Sequence, residues 1–286
     1  MTDPNIFNTI LVWPLINILI TIYHALIFVH LPYVLGFSII ILTALIRLAL
    51  YPLMASQLKA SKKMQELNPH LSKLKEKHKS DAKKLQSETM RLYKEHGINP
   101  AAGCLPMLVQ LPIIWGLYSV LQQIVRPESQ KVIAEINKIV YFDFLRITNG
   151  WDTYFFGLPL GANPSGIMSF NNLFTAGSLI LLVPIITGLL QFIQSKMMLS
   201  SSPQQTKDKG SAKVGQEKKK EDFASAFQSQ SLYIFPVMIG FFSYTFPIGL
   251  SLYWNTFTLF GILQQYHIAG LGGLSEWKNK LISKKI

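Results

Sequence analysis

Residues 35–52, LGFSIIILTALIRLALYP, form an almost unbroken apolar run that is long enough to enter a lipid bilayer. The run contains one charged residue, Arg47. A charge at that depth costs roughly 2.5–3.5 kcal/mol on insertion scales, so it should lie where water or polar partners can reach it. The run therefore predicts a membrane-spanning helix whose arginine needs a polar place inside the protein.

The composition is that of a polytopic membrane protein. Of the 286 residues, 49% are hydrophobic and 15% are charged, and the apolar residues come in long runs. The net charge of +12 is confined to segments between those runs, which indicates a topological signal and not a nucleic-acid-binding surface. A single cysteine, Cys104, excludes disulfides and cysteine-rich metal sites, and there is no Walker-type phosphate-binding loop. The sequence therefore predicts no metal and no cofactor.

The alternation of apolar runs and polar segments predicts an all-α fold with five transmembrane spans. In chain order, the predicted segments are an N-terminal helix at the outer face (1–30), a first span (31–56), a cytoplasmic helical hairpin (57–102), a second span (103–125), an extracytoplasmic loop (126–171), a third span (172–198), a disordered cytoplasmic loop (199–222), a fourth span (223–245), a fifth span (246–268) and a basic cytoplasmic tail (269–286). Within the first segment, residues 6–29 are apolar enough to span, but Pro14 and several polar residues interrupt them. Both a span and an interfacial helix are open for that segment.

Lysine and arginine are distributed unevenly among the polar segments. Of the 27, 22 lie in the hairpin, in the segment from Lys196 to the fourth span and in the tail, whereas four lie in the loop at 126–171. The positive-inside rule makes the first three segments cytoplasmic, which requires five spans and an N-terminus outside. The same rule favours the interfacial placement of residues 6–29. The outer loop carries aromatic residues typical of a membrane-interface belt, namely Trp151, Tyr154, Phe155 and Phe156.

The segment at 57–102 is predicted to form a basic helical hairpin outside the bilayer. It carries 11 lysines and arginines against five acidic residues and has no apolar run. An Asn-Pro step at Asn68 interrupts the first helix, Ser80 or Asp81 caps the second, and Gly97 ends it. The second arm has an apolar stripe and is therefore amphipathic.

Few polar side chains lie within the predicted spans, and none is Asp or Glu. Thr187, Gln191 and Gln194 are spaced four and three residues apart, so they share one face of the third span. Such residues either bond neighbouring helices or line a polar path, and both roles are open for the glutamines. For Arg47 the alternative is snorkelling, but it lies 12 residues before Lys59. That is roughly 18 Å along a helix, which is too far for the side chain alone.

Six motifs carry a resemblance to a known family. In chain order they are TALIRLALYPL, MQELNPHLSKLKEKH, LYKEHGINP, GCLPMLVQLPI, FIQSKM and FPIGLSLYWNTFTLFGILQQY. In this order and spacing, over residues 13–266, the chain resembles the YidC-type membrane protein insertases, the bacterial relatives of the mitochondrial oxidase-assembly and chloroplast Albino insertases. The resemblance implies a five-helix transmembrane core enclosing a hydrophilic groove, open to the cytoplasm and to lipid and closed on the outer side. To this core the charge distribution adds the N-terminal interfacial amphipathic helix predicted above.

The resemblance implies a function that is not enzymatic. In a bacterial plasma membrane, the groove arginine would attract a polar outer segment of a nascent membrane protein, whose apolar helix then partitions into lipid. The resemblance implies Arg47 and Trp254 as groove residues. Further candidates, from their polarity within the spans, are Thr43, Gln191, Gln194, Asn255 and Gln110.

The basic hairpin has two interpretations in this setting. It is either a topogenic loop lying on anionic headgroups or a mobile element that recruits partners to the groove, and its caps and apolar stripe favour the second. The candidate recruiting residues are Lys73, Lys77, Lys83, Lys84, Arg91 and Lys94. The implied partners are nascent membrane proteins, membrane lipids, the Sec translocon and, through the hairpin and the basic tail, the ribosome.

Two other classes of function fit the sequence less well. A small-solute transporter or channel can also hold a buried arginine, but the chain shows no internal repeat and no carboxylate in its spans to pair with Arg47. An intramembrane enzyme would need a catalytic set of acids, bases or metal ligands, which the predicted spans lack. The transporter or channel is the alternative hypothesis.

Overall fold

The structure is a computed structural model that describes residues 3–78, 81–99, 105–124, 129–148, 150–167, 178–198 and 223–275. The described residues are mostly helical, with one two-stranded hairpin, as an all-α membrane protein requires. The predicted loop at 199–222, most of the predicted tail, Ser80 and Cys104 lie outside the described residues.

The N-terminal segment is one helical stretch that buries a single face. A π-helical turn, Asn8–Val12, leads directly into helix α1 (Trp13–Phe28). Ile16 and Ile20 on α1 are fully buried against helix α2 (Val34–Ala49) and its neighbours, whereas Phe28 is exposed. The stretch therefore has the one-sided packing that suits an interfacial helix.

Length and hydropathy identify the described helices that could cross a membrane. Asn8–Phe28 and Ile180–Met198 qualify by themselves, and Val34–Ala49 together with Tyr51–Met64 forms a third if the bent pair is one span. Two further apolar helical stretches, Val109–Gln122 and Leu232–Thr245, are shorter. The N-terminal stretch thus has the length of a span, and its interfacial placement stays a prediction.

The first predicted span bends earlier than expected. The sequence places its end at residue 56, but α2 ends at Ala49 and helix α3 (Tyr51–Glu66) begins at once, with a bend of 63°. The cause is Pro52, which has no N–H to donate and whose ring would clash with the carbonyl four residues earlier. The end of the span at residue 56 stays a prediction, since the bent pair can form one span, and α3 continues directly into the hairpin.

The hairpin has two arms built from three helices. The first arm consists of α3 and helix α4 (Asn68–Lys77), separated only by Leu67. The second arm is helix α5 (Ala82–Glu95), whose N-cap is Asp81, one of the two caps expected from the sequence. The Asp81 carboxylate accepts a hydrogen bond of 3.0 Å from the Lys84 backbone N–H. Helices α4 and α5 pack against each other, so the hairpin closes on itself.

The remaining long helices surround a central one. Their bounds are α6 (Leu105–Ile124), α9 (Ser178–Met198), α10 (Phe223–Thr245) and α11 (Ile248–Ala269), with the short helices α7 (Ser129–Asn137) and α8 (Pro164–Ile167) in the segment after α6. Helix α11 contacts α2, α3, α6, α9 and α10, which makes it the centre of the bundle. Helices α9 and α10 approach closely because Gly188 and Gly240 face each other.

The segment at 129–167 is a compact structure. Strands β1 (Tyr154–Phe155) and β2 (Leu158–Pro159) form an antiparallel hairpin, and its turn residues Phe156 and Gly157 both have positive φ, as a type I′ turn requires. Trp151 is only 7% exposed, and its indole N–H donates to the Ile124 carbonyl at 3.1 Å. The predicted aromatic belt is therefore wrong for Trp151, which packs inward, while Tyr154 and Phe156 are exposed.

This segment closes one end of the bundle. The backbone N–H groups of Ile248 and Gly249, at the start of α11, donate to the carbonyls of Ala162 and Leu160 at 3.0 and 2.8 Å. These are helix N-terminal donors that have no partner inside α11. We call this the loop end, and the opposite end, from which α3 leads into the two-armed hairpin, the hairpin end.

Candidate functional site

A polar cavity lies between the helices towards the hairpin end. It has a volume of about 170 Å³, enough for several water molecules. Helices α2, α3, α6, α9 and α11 all contribute to its wall. The lining residues are Arg47, Met54, Gln57, Leu58, Gln110, Gln194, Met198, Phe257, Gly261, Gln264 and Gln265. We call it the Arg47 cavity.

Arg47 is held by uncharged groups of α11. Its side chain is buried, with 6% exposure, and its Nε and Nη2 donate to the Phe257 carbonyl at 3.1 and 2.8 Å. Nη1 donates to Gln264 Oε1 at a longer 3.4 Å. The guanidinium carbon lies 3.7 Å from the centre of the Phe257 ring, a cation–π geometry. The side chain therefore lies against α11 instead of snorkelling along α2.

The charge of Arg47 is not neutralised by an acid within the part of the chain that the structure describes. Among the described residues no acidic side chain lies within ion-pair distance of Arg47, whereas Arg91 pairs with Glu95 and Arg146 with Asp143. Hydrogen bonds from a guanidinium to neutral acceptors satisfy its donors without cancelling its charge. The cavity thus contains a positive charge that remains available to an anion.

The other residues predicted for the groove divide into two groups. Gln110 and Gln194 line the Arg47 cavity, as Arg47 does. Gln110 Nε2 donates to the Tyr253 hydroxyl at 2.6 Å, while its Oε1 is buried and has no partner among the described residues. A buried acceptor without a hydrogen bond lowers the stability of a protein unless water or a ligand bonds to it. Gln110 is therefore suited to the wall of a cavity that contains water.

Thr43, Gln191 and Trp254 lie outside the cavity lining. The Thr43 hydroxyl is fully buried and donates to the Ile39 carbonyl of its own helix at 2.6 Å. Gln191 Oε1 accepts a 3.2 Å hydrogen bond from the Trp254 indole, which joins α9 to α11. In this structure Thr43 bonds its own helix, and Gln191 and Trp254 bond α9 to α11, so a groove role for these three residues stays a prediction.

A second polar layer lies closer to the loop end. The hydroxyls of Thr187, Ser243 and Ser251 form a chain, with oxygen separations of 3.1 and 2.8 Å. This chain joins α9, α10 and α11, and all three residues are buried. Asn255, also on α11, has a buried side-chain oxygen without a partner among the described residues.

Sequence reasoning missed the residues of α11 that hold Arg47. Phe257, Gly261 and Gln264 all lie in the last motif of the resemblance, yet only Trp254 and Asn255 were selected from it. Gln264 was visible as a polar residue inside an apolar run. Phe257 acts through its backbone carbonyl, which no sequence pattern marks.

The recruiting residues predicted on the hairpin are exposed. Lys73, Lys77 and Arg91 line a shallow groove between α4 and α5, whereas Lys83 and Lys94 lie on the other side of α5. Arg91 Nε donates to Glu95 at 2.8 Å, and this hydrogen bond raises the pKa of Arg91. Arg91 is thus paired with an acid, in contrast to Arg47.

The described residues contain no cluster of three His, Cys, Asp or Glu that could hold a metal ion. The site has neither a nucleophile with a neighbouring base nor an acid pair. What the arrangement can do chemically is attract and hydrate a polar or anionic group at the hairpin end.

Comparisons with known proteins agree on one family. A family model described as "60Kd inner membrane protein" matches residues 15–271. "Membrane protein insertase MisCA" of Bacillus subtilis strain 168 is 35% identical, over 82% of this chain and 70% of that protein. "Membrane protein insertase YidC" of Fusobacterium nucleatum is 33% identical, over 83% of this chain and 87% of that protein. "Inner membrane protein ALBINO3, chloroplastic" of Arabidopsis thaliana is 31% identical over 89% of this chain and 52% of its own length.

A solved structure is similar in fold. It is titled "Active YidC insertase crystal structure with the first transmembrane domain resolved", with a TM-score of 0.53 and 23% identity. The similarity covers 92% of this chain and 47% of that one, so this chain spans about half of the solved protein. The family is named for insertion and not for an enzymatic reaction. On the match to residues 15–271 and the relatives above 30% identity, the chain belongs to the 60Kd inner membrane protein family, the YidC-type membrane protein insertases.

Proposed function

We propose that this protein inserts nascent membrane proteins into the bilayer by drawing a polar segment of the substrate into the Arg47 cavity. The observation that carries the proposal is the buried, unneutralised guanidinium of Arg47, held only by the Phe257 carbonyl, its ring and Gln264. The cavity lies towards the hairpin end, and the segment at 129–167 packs on α11 at the loop end, which supports entry from the hairpin side.

A comparison of insertion cost with electrostatic attraction supports a carboxylate as the group that the cavity prefers to bind. An aspartate at the centre of a bilayer costs roughly 2.5–3.5 kcal/mol on insertion scales. Two unit charges 4 Å apart attract by roughly 4 kcal/mol at an effective dielectric constant of about 20. The attraction of a carboxylate to Arg47 thus offsets about the whole free-energy cost of bringing that carboxylate into the membrane. The carboxylate would replace the neutral acceptors that now bind the guanidinium.

The apolar part of the substrate leaves through the lipid-facing surface of the bundle. Helix α9 presents a row of exposed apolar side chains beside the cavity wall, and α11 continues it. These residues are Leu182, Ile185, Ile186, Leu189 and Ile193 on α9, with Leu259 and Leu263 on α11. A substrate helix on this surface exchanges polar contacts for lipid without crossing a polar barrier.

In this proposal the protein lies in a bacterial plasma membrane with five spans, and α1 lies in the outer interface. The hairpin end then faces the cytoplasm, as the positive-inside rule favours. Lys73, Lys77 and Lys94 of the hairpin contact incoming nascent chains, the ribosome, the Sec translocon and anionic headgroups. The basic tail adds phosphate contacts to ribosomal RNA.

The test is insertion of two matched substrates into proteoliposomes that contain the purified protein. The substrates are single-span proteins that differ only in two outer residues, Asp in one and Asn in the other. We expect Arg47→Gln to lower insertion of the Asp substrate about tenfold, equivalent to ~1.4 kcal/mol, and to affect the Asn substrate less. Protease protection measures the inserted fraction.

Arg146→Gln is the matched control, because Arg146 is an exposed arginine in the outer segment, paired with Asp143 at 2.8 Å. It should insert both substrates normally. Equal losses for the Asp and Asn substrates with Arg47→Gln, or no loss for either, would contradict the proposed role of the charge.

A further inference from the structure

Gly261 lies where the guanidinium of Arg47 meets α11. A Cβ atom built at this position would collide with Arg47 Nη2 and with Gln194 Nε2, and it would lie 3.3 Å from Arg47 Cζ. Glycine is among the least favourable residues in a helix interior, and here the backbone does not need it, since Gly261 has no positive φ. The absence of a side chain at 261 therefore serves the Arg47 and Gln194 side chains, which occupy the space that a Cβ would fill.

The geometry of an α-helix explains which group the glycine uncovers. Each Cα–Cβ bond tilts towards the helix N-terminus, so a side chain at 261 would lie over the turn that contains the Phe257 carbonyl. A carbonyl oxygen has two lone pairs, and the helix uses one. Because residue 261, four positions after Phe257, is a glycine, no side chain covers the second lone pair of the Phe257 carbonyl. Nε and Nη2 of Arg47 donate to this oxygen at 3.1 and 2.8 Å.

We propose that Phe257 and Gly261 form a guanidinium dock, in which Gly261 is a positioning residue that lets Arg47 rest on a neutral carbonyl. The proposal rests on the proposed function and extends it to substrate choice. A carboxylate partner would neutralise Arg47, whereas a carbonyl retains the charge and yields to a carboxylate of the substrate. The dock therefore favours substrates with acidic segments over substrates with merely polar ones.

Gly261→Ala is a variant that should fold. The atoms in its way are the far ends of two long side chains, Arg47 and Gln194, and not backbone. These ends can move aside while α11 keeps its packing. The matched control is Gly188→Ala, whose Cβ would lie 3.5 Å from the Pro236 carbonyl and 3.8 Å from Gly240 Cα, ordinary contact distances far from the dock.

The direct measurement is the side-chain signal of Arg47 in ¹⁵N-arginine-labelled protein in lipid nanodiscs. The chain has only four arginines, Arg47, Arg91, Arg126 and Arg146, so the Nε–H signals are few, and Arg47→Lys assigns the one of interest. We expect Gly261→Ala to speed exchange of the Arg47 Nε proton with water at least tenfold. Gly188→Ala should leave the rate within twofold of the parent.

A second variant keeps the proposal testable if Gly261→Ala does not fold. Phe257→Leu removes the ring and keeps the carbonyl, so the Nε exchange rate should stay within about threefold of the parent. A tenfold rise with Phe257→Leu would overturn the carbonyl as the dock and assign the holding of Arg47 to the ring.

Insertion assays separate the dock from the proposed function. We expect Gly261→Ala to reduce insertion of the Asp substrate several-fold. In an Arg47→Gln background the same change should cause no further loss, since the dock has no guanidinium to hold. A purely structural defect would instead add its own loss to that of Arg47→Gln. An unchanged Arg47 exchange rate overturns the dock whatever insertion does. A faster rate with normal insertion of the Asp substrate supports the dock and contradicts its role in substrate choice, while loss with Arg47→Gln tests the proposed function separately.

Discussion

The two ends of the bundle use the same helices in opposite ways. At the loop end, α2 and α11 contact the folded segment at 129–167, and backbone hydrogen bonds and buried rings fill the space. At the hairpin end, α2 bends away after Ala49, and the same two helices enclose the Arg47 cavity. Packed backbone and rings thus occupy the loop end, whereas the cavity lies towards the hairpin end.

Glycines show the contrast at the level of single residues. At the loop end, Gly36 of α2 lies directly against the Phe155 ring, and a Cβ at Gly249 of α11 would lie 3.3 Å from the Leu160 carbonyl. At the hairpin end, Gly261 of α11 makes room for a guanidinium. Glycines at the loop end thus make room for apolar and backbone atoms, whereas Gly261 at the hairpin end makes room for a charged group.

The largest effect should come from breaking the seal at Trp151. Trp151→Ala removes a buried indole and leaves the Ile124 carbonyl without its partner, which should cost roughly 3–5 kcal/mol. Thermal unfolding in detergent micelles measures the loss. Trp115→Ala is the matched control, because Trp115 on α6 is 67% exposed and should show a much smaller change. Equal losses for the two variants would mean that the loop end is not a packed seal.

A smaller effect should come from overfilling the same end. Gly36→Ala places a methyl group in the Phe155 ring, and overpacking of this kind costs roughly 1–3 kcal/mol. The Gly36→Ala/Phe155→Ala double variant should lose less stability than the sum of the single variants, since the second change removes the atoms in conflict. Additive losses, measured by the same thermal unfolding, would show that Gly36 and Phe155 do not pack together. At the hairpin end, Gly261→Ala should be milder because only flexible side-chain ends must move.

Two features of the fold could be predicted from the sequence alone. A lone arginine in an apolar run predicts a polar interior site, and a basic segment without an apolar run, together with its helix breaks and caps, predicts the hairpin. These predictions depend on residues close together in the chain. Physical arguments about burial and local helix geometry reach that far.

The partners of Arg47 could not be predicted in this way. The contact from Arg47 to the Phe257 carbonyl crosses 210 residues of chain, and any backbone carbonyl can serve as an acceptor. Gly261 has meaning only once Arg47 is known to lie opposite. In the same way, Gln191 shares a face of α9 with Gln194, yet the structure pairs it with Trp254 of α11. Side-chain pairing between helices is a property of packing, which the pattern of one helix does not contain.

The most direct test of a cavity open at only one end is its accessibility from each side of a sealed membrane. In a Cys104→Ser background, Gln194→Cys places a thiol in the Arg47 cavity, and Phe144→Cys places one on an exposed site of the segment at 129–167. A membrane-impermeant maleimide should label Gln194→Cys only when applied on the hairpin side, and Phe144→Cys only on the opposite side. Labelling of Gln194→Cys from the Phe144 side would contradict the closed loop end and the insertion route built on it.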